Sequence, residues 1–166
     1  MKGKVITYKE KNINTDLIIP ARYLTKSDPD HLASHCMEDL DPHFPKRVVE
    51  ENFNVLVSES NFGCGSSREQ APIAIESAGI KFVIAPSFAR IFFRNSINVG
   101  LGIIELSDVS DFDTGDKIDI DLLNGTVDNL TKEKKFEFKQ FPGFILEIIE
   151  SNGLVGYARR KVLGRS

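Results

Sequence analysis

Between residues 53 and 106 short apolar runs alternate with helical stretches, and this order limits the chain to one kind of sheet. Residues 53–57 (FNVLV), 81–85 (KFVIA) and 103–106 (IIEL) are apolar nearly throughout. Strands buried on both faces read this way. The intervening stretches 70–77 and 88–98 have helical length, and Gly79 and Gly100 follow them as stops. A strand–loop–helix–strand–helix–strand order returns each strand in the same direction. A parallel sheet with right-handed crossovers is therefore expected.

The flanks read differently. Residues 4–8 are a short β-branched strand. Residues 20–50 form a largely irregular excursion, with Asp28-Pro29, Asp41-Pro42 and Phe44-Pro45 as breakers and a helix expected over 30–40. Compact domains seldom carry so long an irregular stretch without a functional reason. After Gly115, residues 117–122 alternate apolar and polar, Asn124-Gly125 makes a turn, and residues 126–130 return as its partner. Residues 136–139 alternate again, and 144–150 have helical spacing. The expectation is an α/β fold with a central, partly parallel sheet, flanking helices and a β-hairpin appendage. Residues 1–166 are read as a single domain.

Charge and cysteine content then remove whole classes of function. The net charge is -3, so neither a basic nucleic-acid footprint nor a polybasic membrane patch is expected. No apolar run approaches the ~20 residues of a bilayer span. Met1-Lys2-Gly3-Lys4-Val5 lacks the apolar stretch of a secretion signal. Cys36 and Cys64 are the only cysteines. A disulfide framework is excluded and cytoplasmic residence is the default expectation. Two thiols also cannot build an all-thiolate zinc site or a usual iron–sulfur cluster, so no metal site is expected on this chain.

The loop Gly63-Cys64-Gly65-Ser66-Ser67-Arg68-Glu69 joins an expected strand to an expected helix. Ligands of α/β folds bind at the carboxyl ends of strands. Two glycines permit tight turns and close approach of a ligand. Backbone N–H groups ahead of a helix form an anion cradle, and Arg68 adds a planar fork for a carboxylate or phosphate. Ser66 and Glu69 also fit an S-x-x-E capping box. Pro72 argues against that use, because a helix starting near Gln70 places the proline in the first turn, where it is tolerated. Ser66 and Ser67 then stay free.

A nucleophilic serine needs a base, and the histidines, His31, His35 and His43, all lie in the irregular excursion. There is no G-x-S-x-G elbow and no Walker loop, and Arg68 stands where a dinucleotide fingerprint needs its third glycine.

Three segments carry a more specific resemblance: Gly63-x-Gly65-Ser66-Ser67-Arg68-Glu69, Asn14-Thr15-Asp16-Leu17-Ile18-Ile19-Pro20-Ala21, and Ser87-Phe88-Ala89-Arg90-Ile91-Phe92 followed by Asn95 and Gly100-Leu101. In order and spacing they resemble the swivelling β/β/α domain of the aconitase superfamily, over essentially the whole chain. The similarity is greatest to the free-standing small subunits of the isopropylmalate dehydratase and homoaconitase-like group. It implies a hydro-lyase that moves water between neighbouring carbons of a small hydroxy-dicarboxylate, in leucine synthesis if the substrate is isopropylmalate. By this resemblance Ser66, as an alkoxide, is the catalytic base. Ser67, Arg68 and Asp16 bind substrate, and Tyr23-Leu24-Thr25-Lys26 is the substrate-selecting loop. An alkoxide there needs backbone donors, a helix N-terminus and a cation, and the loop offers all three types.

The resemblance further implies a [4Fe-4S] cluster held by a separate large subunit, in a heterodimer or heterotetramer, with this chain binding no cofactor itself. Thr25 is neither the arginine nor the apolar residue typical of that loop, so homocitrate-type and dimethylmalate- or methylmalate-type substrates stay open beside isopropylmalate. A non-catalytic anion-binding module and a serine hydrolase are the alternatives from other classes.

Other features have simpler readings. Asp16 also suits an Asx-turn. His31 and His35, spaced i, i+4, suit an exposed helix as well as a metal pair. Arg90 and Arg94 share a helix face that meets solvent, substrate or partner. Phe88, Phe92 and Phe93 read as core or interface, and Arg159-Arg160-Lys161 as a solvated end.

Overall fold

A computed structural model describes residues 1–164 of the chain. In chain order its first half comprises β1 (Lys2–Tyr8), α1 (Thr15–Ile18), α2 (Pro29–Ser34), α3 (Phe44–Glu50), β2 (Val55–Ser58) and α4 (Gln70–Ser77). Then follow β3 (Phe82–Ala85), α5 (Arg90–Asn98), β4 (Gly102–Glu105), β5 (Lys117–Asp121), β6 (Thr126–Asn129), β7 (Lys134–Glu137), α6 (Gly143–Glu150) and α7 (Leu154–Leu163). The strands make one sheet in the order β4-β3-β2-β1-β5-β6-β7. From β1 to β4 every pairing is parallel. From β1 through β5 and β6 to β7 every pairing is antiparallel.

Burial explains this division. All residues of β2 and β3 are buried, as a parallel strand covered on both sides must be. On one face Ile6, Leu56 and Val83 pack against Phe44 of α3 and Ala74 and Ile75 of α4. On the other face Val55, Val57 and Ile84 meet Phe112, Ile118 and Val127. The antiparallel half thus curls back and covers the second face. Only alternate residues of β5 are buried, which matches the alternation in its sequence. The expected hairpin after Gly115 is present and continues the main sheet through the β1–β5 pairing.

Two local expectations changed. The helix expected over 30–40 stops at Ser34, and Met37 then adopts a left-handed backbone with φ 60°. Phe44-Pro45, expected to break structure, instead opens α3 with the proline in its first turn. There its missing N–H has no partner to lose. The β5–β6 register pairs Asp121 with Thr126, so the turn spans residues 122–125. The Asp121 carboxylate accepts the N–H groups of Leu123 and Asn124. Among the described residues no helix is long and apolar enough to cross a membrane.

Candidate active site

Three chain segments leave the carboxyl ends of β1, β2 and β3 and stay side by side. Gly63 donates its N–H to Ile13 O at 2.8 Å, and Thr15 donates to Cys64 O at 2.8 Å. On the other side Phe62 donates to Ser87 O at 3.1 Å and Ala89 to Phe62 O at 3.0 Å. Phe62 is fully buried and meets the rings of Phe88 and Phe92 edge-on, with centroids 6.1 and 5.3 Å away. The glycine–serine loop is therefore bonded on both sides before it reaches its tip.

At the tip the backbone turns into the left-handed region twice, at Gly63 (φ 79°) and Gly65 (φ 93°). A Cβ at Gly63 would sit 2.2 Å from Cγ of Phe92. Ser66 and Ser67 are exposed, and the buried Thr15 fixes the loop by donating its hydroxyl to Ser66 O at 2.8 Å. Neither serine caps α4, which begins at Gln70 with no side-chain cap and has Pro72 in its first turn. The capping-box alternative is not formed.

Arg68 lies under the loop, its side chain only 14% exposed. Its Nη1 donates to Asp16 Oδ1 at 3.0 Å and to Ile19 O at 2.8 Å. Asp16 Oδ1 also accepts the Ala21 N–H at 3.2 Å. The Arg68 hydrogen bond, then that of Ala21, holds the Asp16 carboxyl below the usual carboxylate range. The Asx-turn role belongs to Asn14, whose side chain caps α1 by accepting the Leu17 N–H.

These groups open onto a cleft of about 300 Å³, lined by Ser66, Ser67, Arg68 and Thr15 and also by Arg90 and Ile91 of the first turn of α5. Sequence reasoning assigned the cradle to the start of α4. The helix start that lines the cleft is that of α5, which has no side-chain cap. Its unclaimed N–H groups favour an anion. The signal was present in the parallel order: loops after adjacent strands emerge at one end of the sheet.

The expected selecting loop divides. Tyr23 stacks on His35 with centroids 3.7 Å apart, and Leu24 packs on the core. Thr25 and Lys26 are exposed. His35 Nδ1 lies 2.8 Å from Glu38, and His31 Nε2 lies 3.3 Å from Tyr23 O. The two histidines thus belong to a ring cluster that holds Tyr23. No histidine lines the cleft, so the geometry gives Ser66 no triad base.

Cys36 is fully buried, which pushes its thiol up in pKa, and Cys64 is half-buried in the loop. Among the described residues no three His, Cys, Asp or Glu are grouped to hold a metal ion. The residues of this chain do not fit an iron–sulfur cluster, which needs more thiolates than two.

Residues 1–109 match the aconitase C-terminal domain. The chain belongs to that family. Among its relatives, a 3-isopropylmalate dehydratase small subunit of Caldanaerobacter subterraneus is 53% identical over 98% of this chain and 99% of its own length. One of the same description from Clostridium beijerinckii is 49% identical, over 97% of this chain and 99% of its own. The crystal structure of a 3-isopropylmalate dehydratase (leuD) from Methanocaldococcus jannaschii superimposes with a TM-score of 0.88. It shares 44% identity, covering 99% of this chain and 96% of that one. The mixed, curled sheet of this aconitase-family chain is thus the fold of a solved relative.

Proposed function

We propose that this chain is the small subunit of a 3-isopropylmalate dehydratase, a hydro-lyase that interconverts 2- and 3-isopropylmalate by removing and re-adding water. The carrying observation is the pair of exposed serines at a cleft backed by an arginine and lacking histidine. The naming and near-full coverage of the relatives support it.

In this reading Ser66 Oγ, as an alkoxide, takes the proton from the carbon beside a carboxylate. The neighbouring C–O bond breaks with its electron pair and a C=C bond forms. When the hydroxyl adds at the carbon that lost the proton, Ser66 Oγ returns its proton to the carbon that lost the hydroxyl, which regenerates the alkoxide. A serine alkoxide is viable only where positive potential is fixed around it. The uncapped first turn of α5 and the Arg68 guanidinium are the sources within this chain. Ser67 and Arg68 bind a substrate carboxylate, with the free Nε and Nη2 edge of Arg68 available for a two-pronged contact. Asp16 takes part by sharing Arg68, and Thr25 and Lys26 are the exposed members of the selecting loop. The departing hydroxyl needs a Lewis acid. We assign it to a [4Fe-4S] cluster on a large subunit, because the thiols of this chain are too few. Residues 1–166 act as one unit in that complex, in the cytoplasm.

Anaerobic co-expression with the candidate large subunit tests the reading, with isopropylmalate, homocitrate and dimethylmalate compared as substrates. Isopropylmalate is expected to turn over fastest. Ser66→Ala is expected to lower kcat by about 10²–10⁴-fold, the usual range for a general base, with assembly unchanged. Retained turnover in that variant would remove Ser66 as the base.

A further inference from the structure

Two arginines line the cleft, and the hydro-lyase reading uses only one. Arg68 is anchored: its Nη1 is committed to Asp16 and to Ile19 O. Arg90 faces the same cleft from the first turn of α5. It is exposed, and among the described residues no carboxylate lies within ion-pair distance of it, unlike Arg68, which is paired with Asp16. The spacing of the two segments is fixed. Gly63 lies directly on the Phe92 ring, and Ala89 is hydrogen-bonded to Phe62 O, so the serine loop and the start of α5 form one rigid wall.

We propose that Arg90 binds the second carboxylate of a dicarboxylate ligand whose first carboxylate is held by Ser67 and Arg68. The chemistry follows from charge. One of the two guanidinium groups is already shared with Asp16, and a second, unshared cation lining the same cleft of about 300 Å³ matches the second carboxylate of a small diacid. A monoacid would leave Arg90 without a partner. The uncapped N–H groups beside it add to the same anionic preference. Specificity for diacids over monoacids then resides in α5 as well as in the glycine–serine loop. This inference deepens the function proposed above and rests on it.

The test uses the assembled complex with its large subunit, comparing wild type with Arg90→Gln and Arg90→Lys. Arg90→Gln is expected to raise KM for isopropylmalate by about 10- to 100-fold, the scale of a lost charge-assisted hydrogen bond, while kcat changes much less. Arg90→Lys is expected to recover part of the loss. The inhibition constant of succinate should weaken in Arg90→Gln by a similar factor, while that of butyrate should hardly move. Unchanged KM and unchanged succinate inhibition would overturn the proposal. So would loss of complex formation in Arg90→Gln, which would make Arg90 an interface residue. If wild type lacks hydro-lyase activity altogether, the function proposed above fails. NMR titration of the complex with succinate and butyrate then still decides whether Arg90 separates diacids from monoacids.

Discussion

At the scale of single residues, the site depends on atoms that are missing as much as on those present. Gly63 combines a φ of 79° with a position where any Cβ would lie 2.2 Å from the Phe92 ring. Gly63→Ala is therefore expected to destabilise the fold by about 1–3 kcal/mol, from backbone strain and overpacking together. A urea titration of the isolated chain measures it, and an unchanged midpoint would mean that the loop and α5 are not locked together. The serines, Arg68 and the glycines could be named from the sequence because their chemistry is local. Arg90 could be placed there only on a helix face that meets solvent, substrate or partner. Its place at the cleft with Arg68 arises from strand order, which residue types do not encode. Asp16 shows the same limit: its sequence context suits a turn, yet Arg68, fifty-two positions away, is its partner.

At the scale of elements, periodicity carried most of the information. The apolar runs of β2, β3 and β4 and the alternation of β5 announced burial on two faces and on one face respectively. The excursion between β1 and β2 was less legible. Proline there serves as a helix starter in α3, and a proline reads the same whether it ends or begins a helix. The antiparallel half is also held by charge. Asp113, next to the buried Phe112, takes Lys9 from the end of β1 at 2.8 Å and Lys132 from the β6–β7 turn. The Lys132 hydrogen bond first, and that of Lys9 second, lower its carboxyl from the usual 3.8 to about 2. Because the folded value is the lower one, this contribution is complete above the unfolded value and is lost as pH falls toward about 2. Asp113→Asn should flatten the decline of Tm between about pH 4 and pH 2. The effect should be small, since the carboxylate and Lys9 are largely in solvent. An unaltered pH profile would show that the ion pairs add nothing to stability.

At the scale of the whole molecule, the chain holds a cleft lined by two serines and two arginines and has only two thiols, too few for a cluster. The purified chain is therefore expected to show no dehydration of isopropylmalate, and activity should appear only when the large subunit is added under anaerobic conditions. Turnover by the isolated chain would refute the division of labour proposed here. The sequence by itself determined the parallel order, the glycine–serine–arginine loop and the lack of metal-binding thiols, because apolar periodicity, backbone freedom and ligand count are properties of consecutive or countable residues. Only the tertiary structure decided that the antiparallel strands close the second face of the sheet, that α5 rather than α4 lines the cleft, and that Arg68 is tethered to Asp16. Each of these is a contact between segments far apart in the chain, fixed by which surfaces must be buried together.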